Sequence, residues 1–163
     1  MNVDHVFETL NGHEVAYLVI GGMNFLLRHA PVLTFDMDVW IEDTPENLDR
    51  CEKALGQLQA EWGTSDDDWG PVAKRPPGWL RGQGVFCLNS PYAAVDVFRS
   101  VRGLESWADC RARAAEGQTA AGIPFWGLSD EDMLKCQTAL PESERNQERI
   151  RILREALRRA IRE

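Results

Sequence analysis

Residues 21–42 read GGMNFLLRHAPVLTFDMDVWIE, and three patterns within this stretch decide the fold. Gly21 and Gly22 close a short apolar run and open a segment with helical character. The second half of the stretch alternates apolar and polar residues, which predicts a strand. Because successive side chains of a strand point to opposite faces, Asp36 and Asp38 are predicted to share one face.

The paired aspartates and the paired glycines both suit phosphate chemistry. Two carboxylates on one strand face can reach a single ion, and such hard oxygen ligands favour Mg²⁺. Backbone N–H groups exposed where a glycine turn opens a helix favour phosphate oxygens. Each pattern alone has a simpler interpretation, a tight turn for the glycines and a solvated strand face for the aspartates. Together they predict a metal clamp beside a phosphate cradle, as phosphoryl or nucleotidyl transfer requires.

A third carboxylate, Asp96, occurs inside the apolar run AVDVF at residues 94–98. A charge flanked by apolar residues in a strand costs free energy to bury unless it has a partner. A metal ion shared with Asp36 and Asp38 would supply that partner. The alternative is an aspartate on the open side of an edge strand.

Helical and extended patterns alternate along the rest of the chain, which predicts an α+β fold. The expected helices cover residues 4–11, 23–29, a segment opening at Thr44-Pro45, 104–116, a segment from Ser129 to a break at Pro141, and 145–162. Gly117 is expected to end the helix over residues 104–116. The expected strands cover residues 15–20, 33–41, 85–88, 93–98 and 123–126. Residues 61–84 are rich in Gly, Pro, Trp and acids and are expected to form a long loop with room for a short strand.

The composition excludes several classes of protein. The 163 residues carry 26 acidic and 18 basic side chains, a formal charge of −8, which disfavours bulk binding to nucleic acid or to an anionic membrane. No apolar stretch approaches a membrane span, and the start of the chain lacks a signal-peptide pattern. The four cysteines are scattered without zinc spacing, so we expect reduced thiols in a cytoplasmic protein.

The stretch at residues 21–42 resembles the core motif of minimal nucleotidyltransferases of the polymerase-β-like superfamily, and more specifically the subgroup related to toxin–antitoxin and abortive-infection systems. The motif, a glycine pair followed at a set distance by T-x-D-x-D, falls on Gly21, Gly22, Thr34, Asp36 and Asp38. The family's third carboxylate matches Asp96, and a lysine on a later helix matches Lys135. The resemblance spans roughly residues 15–140.

The resemblance implies a mixed sheet flanked by helices, with a nucleotidyltransferase-like core at residues 1–128 and C-terminal helices at 129–163 packed on it. It implies transfer of a nucleoside monophosphate from an NTP to an acceptor hydroxyl, with three carboxylates holding Mg²⁺ or Mn²⁺. The glycines and the threonine would bind the nucleotide, and the lysine would neutralise phosphate charge. The alternatives are that Thr34 only favours the strand and that Lys135 is a surface lysine on its helix. The acceptor stays open between RNA, a protein and a small molecule, and a partner protein is a further expectation.

A departure from the family pattern leaves a second interpretation open. Where the family often has an arginine two residues before the threonine, this chain has Val32. That difference favours a non-catalytic module of the same fold that binds nucleotide or a protein. The arginines of the last helix are expected to form ion pairs along a solvated face, with contact to a partner or to RNA as the alternative.

Overall fold

The computed structural model describes residues 1–29, residue 34 and residues 36–163 of the chain. The helices are α1 (Val3–Gly12), α2 (Gly21–Arg28), α3 (Pro45–Gln57), α4 (Trp107–Ala112), α5 (Asp130–Thr138) and α6 (Gln147–Arg162). The strands are β1 (Tyr17–Ile20), β2 (Asp36–Ile41), β3 (Glu61–Trp62), β4 (Gly70–Pro71), β5 (Val85–Leu88), β6 (Ala94–Phe98), β7 (Ala115–Gln118) and β8 (Pro124–Gly127).

A mixed sheet organises these elements and confirms the expected α+β class. Its strand order is β5-β6-β2-β1-β8-β7. The pairs β1/β2, β5/β6 and β7/β8 are antiparallel, whereas β2/β6 and β1/β8 are parallel. Strand β2 therefore lies inside the sheet, with a neighbour on each side, and its side chains project to both faces.

The two faces of β2 have different neighbours, as the alternation in the sequence predicts. Met37, Val39 and Ile41 are fully buried in a core shared with α1 and α3. Burial of each such side chain contributes about 1.5–3 kcal/mol to folding. The opposite face carries Asp36, Asp38 and Trp40. Of these, only the tryptophan is buried, in a second cluster that also includes residues of α2, α5 and α6.

Helix capping follows the sequence closely at α3 and α5. The Thr44 hydroxyl accepts a hydrogen bond from the Asn47 N–H at 3.3 Å, and Ser129 accepts one from the Asp132 N–H at 3.1 Å. Both caps satisfy N–H groups that a helix start otherwise leaves unpaired.

The division into residues 1–128 and 129–163 stays a prediction. Met133 of α5 belongs to the second cluster, so this helix packs on the sheet.

The expected helix over residues 104–116 is wrong in its extent. Helix α4 begins at Trp107 behind a Ser106 cap and ends at Ala112, after which the chain forms strand β7. Gly117, which the sequence suggested as a helix stop, lies in that strand opposite Phe125. A Cβ atom there would lie 2.7 Å from the phenyl ring, so the glycine allows the ring to pack against the strand.

The structure defines two further segments, residues 61–84 and α6, in more detail than the sequence does. Residues 61–84 contain the short β3/β4 pair together with three single turns of 3₁₀ helix. On α6 the buried stripe includes Ile150 and Leu153, but Ile161 is 85% exposed, so the stripe covers only the first half of the helix.

Helix α6 carries the expected ion pairs, with Arg151 bound to Glu148 and Glu155 and with Arg159 bound to Glu155. All four cysteines are free thiols. None of the described helices combines the length and the apolar character that crossing a bilayer requires.

Candidate active site

Three carboxylates meet on the polar face of the sheet because of how β2 and β6 pair. In the parallel register Asp38 lies directly beside Asp96, and Asp36 lies two residues earlier on the same face. One oxygen from each carboxylate lies within 4.8 Å of the others. The structure therefore brings together the three acids that the sequence singled out.

Crowding of three negative charges changes how these groups ionise. Burial, followed by the charges of Asp36 and Asp96, raises the pKa of Asp38 to about 7. Burial and the charge of Asp36 likewise raise the pKa of Asp96. A cluster of like charges that holds protons near neutral pH is a common property of catalytic and metal sites.

The donor set fits a hard divalent cation. The Oδ1 atom of Asp38 is buried and has no hydrogen-bond partner among the described residues, although such atoms are normally satisfied. Three carboxylates at this spacing supply oxygen ligands of the kind that Mg²⁺ and Mn²⁺ prefer. A bound cation would both satisfy the unpaired oxygen and offset the repulsion among the three acids.

The glycine turn lies against the carboxylates. Ile20, the last residue of β1, is in register with Asp38, so the turn begins beside that aspartate. Gly21 has a φ of +66°, a conformation that disfavours residues with a side chain. A Cβ atom at Gly21 would overlap Oδ2 of Asp38. Both its conformation and its contact therefore require glycine at this position.

Helix α2 begins at this turn without a side-chain cap. Its N-cap residue is Ile20, which has no group to accept a hydrogen bond from the first backbone N–H groups. Those groups are consequently left for another acceptor, and an anion is favoured there because the helix dipole is positive at this end. The turn thus supplies donors next to the acidic cluster.

Thr34 connects the turn to the aspartates. A Cβ atom at Gly22 would lie 3.2 Å from the Thr34 hydroxyl oxygen. The same hydroxyl donates a hydrogen bond to the Asp36 carbonyl at 3.1 Å. The threonine therefore lies between the glycine turn and the strand that carries the acids. Val32, whose identity departs from the family pattern, lies outside the described residues.

Polar contacts fix the position of α2. Asn24 is fully buried and donates from Nδ2 to the Leu128 carbonyl at 3.1 Å. At the other end of the helix, Arg28 forms a 3.2 Å salt bridge with Asp130, and His29 lies 2.6 Å from the same carboxylate. These contacts join α2 to the residue that follows β8 and to the start of α5, which holds the glycine turn in place.

Lys135 makes its contacts within its own helix. Its Nζ atom lies 3.3 Å from Glu131 and 3.6 Å from Asp132, which is fully buried. The lysine side chain is half exposed. The role predicted for Lys135 at the phosphates stays a prediction.

Sequence reasoning missed Arg149, which approaches the glycine turn from α6. Its Nη2 atom would lie 3.3 Å from a Cβ atom at Gly22, and its guanidinium lies 5.6 Å from the centre of the Phe25 ring. The available signal was periodicity, because Arg149 precedes the buried Leu153 by four residues and therefore shares its face of the helix.

Cys87 is a second neighbour of the acids that the sequence did not single out. It lies on β5 in register with Asp96, so its thiol borders the cluster on the side away from the glycine turn. Partial burial, then the charge of Asp96, raises the pKa of this thiol. The neutral thiol is therefore the favoured form beside the carboxylates.

Comparison with known proteins identifies structural relatives rather than close sequence relatives. No protein-family model matches the chain, and no curated protein matches it significantly. The solved structures with a similar fold include a predicted nucleotidyltransferase of Thermotoga maritima. That structure has 16% identity and a TM-score of 0.55, and the match covers 98% of this chain and 90% of the other.

Two structures of ANT(2'')-Ia, an antibiotic-resistance factor, also match. The structure in complex with adenylyl-2''-tobramycin has 16% identity and a TM-score of 0.61, covering 95% of this chain and 87% of the other. The solution structure has 15% identity and a TM-score of 0.57, covering 98% and 89%. The chain therefore has the fold of these nucleotidyltransferases over nearly its whole length.

Proposed function

We propose that this protein is a metal-dependent nucleotidyltransferase that moves a nucleoside monophosphate from an NTP to a hydroxyl of an acceptor. One observation carries the proposal, namely the meeting of Asp36, Asp38 and Asp96 beside the turn at Gly21 and Gly22. The fold shared with nucleotidyltransferases supports it.

The three aspartates would hold Mg²⁺ or Mn²⁺. When bound, such an ion neutralises phosphate charge and polarises the phosphoryl group. The chain's own contribution is rigid placement, because β2 and β6 pair over five consecutive positions around the aspartates. Ligands on paired strands keep their geometry better than ligands on loops.

The transfer itself needs a nucleophile, a leaving group and a proton acceptor. The acceptor's hydroxyl oxygen forms a bond to the α-phosphorus, while the bond from that phosphorus to the bridging oxygen breaks and pyrophosphate leaves. Asp96 would take the hydroxyl proton, a role that its raised pKa suits. The backbone N–H groups of Gly21 and Gly22 would bind the β- and γ-phosphates, and Thr34 would orient the nucleotide.

The acceptor class is the least constrained part of the proposal. RNA, a protein and a small hydroxylated molecule are the candidates, within a toxin–antitoxin setting that would include a partner protein. The formal charge of −8 disfavours a polyanion unless a local basic surface binds it. ANT(2'')-Ia forms a complex with adenylyl-2''-tobramycin, which makes a cationic small molecule a useful first acceptor to test.

The test is transfer of label from α-labelled NTPs, with Mg²⁺ or Mn²⁺, to total RNA, to total protein and to tobramycin. Asp36→Asn, Asp38→Asn and Asp96→Asn should each reduce transfer by at least about 10³-fold, because each removes a charged ligand of the metal. Asp49→Asn, an exposed substitution of the same chemistry on α3, is the control and should retain full transfer. Equal transfer by all four variants would refute the assignment of the site.

A non-catalytic module of the same fold is the second candidate. It predicts metal-dependent binding of NTP without transfer to any acceptor. Label on any acceptor, lost in the Asp38→Asn variant, rejects it.

The role of Lys135 needs its own variant. If Lys135 neutralises phosphate charge, Lys135→Ala reduces the transfer rate by about tenfold or more. If Lys135 acts only through its ion pairs with Glu131 and Asp132, the substitution changes the stability of the helix and leaves transfer intact.

A further inference from the structure

Arg149 differs from the other arginines of α6 for which the structure records side-chain contacts. Arg151 and Arg159 lie in the exposed part of the helix and pair with glutamates of the same helix, and Nε of Arg158 donates to the Arg154 carbonyl. The Nε atom of Arg149 is buried and has no hydrogen-bond partner among the described residues. Leaving a charged donor unsatisfied costs free energy, so this arrangement calls for a physical reason.

The position of Arg149 in its helix adds to this cost. It lies in the first turn of α6, behind the Asn146 cap, where the positive end of the helix dipole disfavours a cation. The guanidinium is nevertheless held inward, near the Phe25 ring and Gly22, by a helix that Ile150 and Leu153 bury against the core. The fold therefore places a permanent positive charge at the glycine turn.

The surroundings of this guanidinium leave room beside it. A cavity of about 40 Å³ opens next to Arg149 and is lined by Gly21, Phe25, Gln137 and Leu153 among others. This volume exceeds the roughly 10–15 Å³ that a single water molecule needs. The guanidinium borders open space next to the glycine turn, so a group bound at the turn could reach it.

We propose that Arg149, supplied by the C-terminal helix, binds the triphosphate of the NTP above the turn at Gly21 and Gly22. The inference rests on the proposed nucleotidyl transfer and assigns it a further binding residue. Guanidinium presents a rigid planar set of donors that matches phosphate oxygens and stays charged at any physiological pH. A phosphate bound there would satisfy the buried Nε and would explain why no carboxylate of the described residues pairs with this arginine.

A second role for the same charge must be separated from this one. Arg149 also lies close enough to Asp38 to favour its ionised form. If offsetting the acidic cluster were its only role, removing it would strengthen binding of a divalent cation and leave binding of a triphosphate unaffected. The proposal instead expects the affinity for a triphosphate to fall when Arg149 is removed, while the affinity for the divalent cation stays equal or rises.

The experiment measures equilibrium binding of ATP with Mg²⁺, of inorganic tripolyphosphate without metal, and of Mn²⁺ alone to the full chain. Arg149→Ala should weaken the binding of ATP and of tripolyphosphate by about 10- to 100-fold, which is the effect of losing a hydrogen-bonded charge. The binding of Mn²⁺ should stay equal or become tighter. Arg149→Lys should recover part of the loss. Arg154→Ala removes the same charge from an exposed position of α6 and should bind all three ligands like the wild type.

The outcomes are separable from those of the transfer assay. Wild-type triphosphate affinity in Arg149→Ala, with the thermal midpoint unchanged, overturns the proposal and leaves the proposed function standing. Loss of tripolyphosphate binding in Arg149→Ala supports the proposal even if no acceptor is ever labelled. If the wild type binds neither ATP nor tripolyphosphate, both the role of Arg149 and the proposed function are overturned.

Discussion

Most of the surroundings of Asp38 disfavour its charge, and Arg149 offsets only part of that effect. Asp96 lies beside it, Asp36 lies two residues away on the same face, and the backbone of Gly21 covers its Oδ2 side. Its raised pKa follows from this arrangement, with burial as the largest cause. A bound cation would offset the charges that raise this pKa, and without metal the ionisation of Asp38 makes the stability of the protein depend on pH.

The pH dependence of stability follows from that raised pKa. Between about pH 4 and pH 7 the folded protein binds more protons at Asp38 than the unfolded chain does, so the free energy of unfolding should fall as the pH rises through this range. Asp38→Asn should remove most of this decline and stabilise the metal-free protein at pH 8 by about 1–3 kcal/mol, allowing for solvent screening. Urea unfolding in EDTA at pH 5 and pH 8 measures both effects, and a rise in wild-type stability with pH would contradict them.

Gly21 and Gly22 should differ in their tolerance of a methyl group. Gly21→Ala places Cβ into Oδ2 of Asp38 at a positive φ, so we expect at least a tenfold loss of Mn²⁺ affinity. Gly22→Ala meets only the ends of the Thr34 and Arg149 side chains, at 3.2 and 3.3 Å. The Gly22→Ala variant should keep its affinity for Mn²⁺ and bind ATP more weakly. Calorimetric titration of both ligands into both variants tests this order, and equal Mn²⁺ loss in the two would refute it.

The sequence was most informative where local pattern and chemistry agree. The alternation around Asp36 and Asp38 fixes a shared face whatever the rest of the chain does. Arg149 could not be assigned in the same way, because its neighbour Gly22 is distant in sequence and only the packing of α6 brings them together. Lys135 shows the same limit, since helix periodicity alone does not decide which surface the helix presents.

At the level of elements, α2 depends on a close approach to β8. Gly127 has no side chain, and the amide oxygen of Asn24 occupies the space that a Cβ atom would need. The same asparagine is fully buried and donates to the Leu128 carbonyl. The orientation of α2, and with it the glycine turn, is thus set by a contact that a single methyl group would break.

A substitution at this contact should therefore change both stability and ligand binding. Gly127→Ala should destabilise the protein by about 1–3 kcal/mol, the usual cost of overpacking, and lower the melting temperature by about 2–10 °C. The substitution should also weaken the binding of ATP, because α2 must shift. Gly82→Ala, where nothing lies within 4 Å, is the control and should melt like the wild type. An unchanged melting temperature in Gly127→Ala would show that Asn24 can move at little cost.

The expected helix over residues 104–116 was wrong because a strand pairing replaces its second half. Gly117 after an apparently helical run suggested a helix end, but tertiary pairing with β8 places it in a strand. A glycine serves equally as a helix stop or as a site of close approach, and only the packed Phe125 ring distinguishes the two. Residues 61–84 were anticipated better, because turn-forming residues dominate them whatever their partners.

For the whole molecule, a bound cation should act as a stabilising ligand. A cation that binds only the folded state raises the free energy of unfolding, by about 2.7 kcal/mol at a hundred times its dissociation constant. Saturating Mn²⁺ should therefore raise the melting temperature by about 5–10 °C at pH 8 and by much less at pH 5, where protons compete at Asp38. A variant with Asn at positions 36, 38 and 96 should show no rise. An equal rise in that variant would place the cation elsewhere.

The parallel pairing of β2 with β6 has a further consequence, for the order of events in folding. Asp38 and Asp96 belong to strands separated by α3, β3, β4 and β5, so their register forms only after a long loop closes. Such non-local contacts form slowly relative to helices and hairpins such as β5/β6. In refolding, the ability to capture Mn²⁺ should therefore appear later than helical circular dichroism does. The carboxylate cluster would then serve as a kinetic marker for completion of the central sheet.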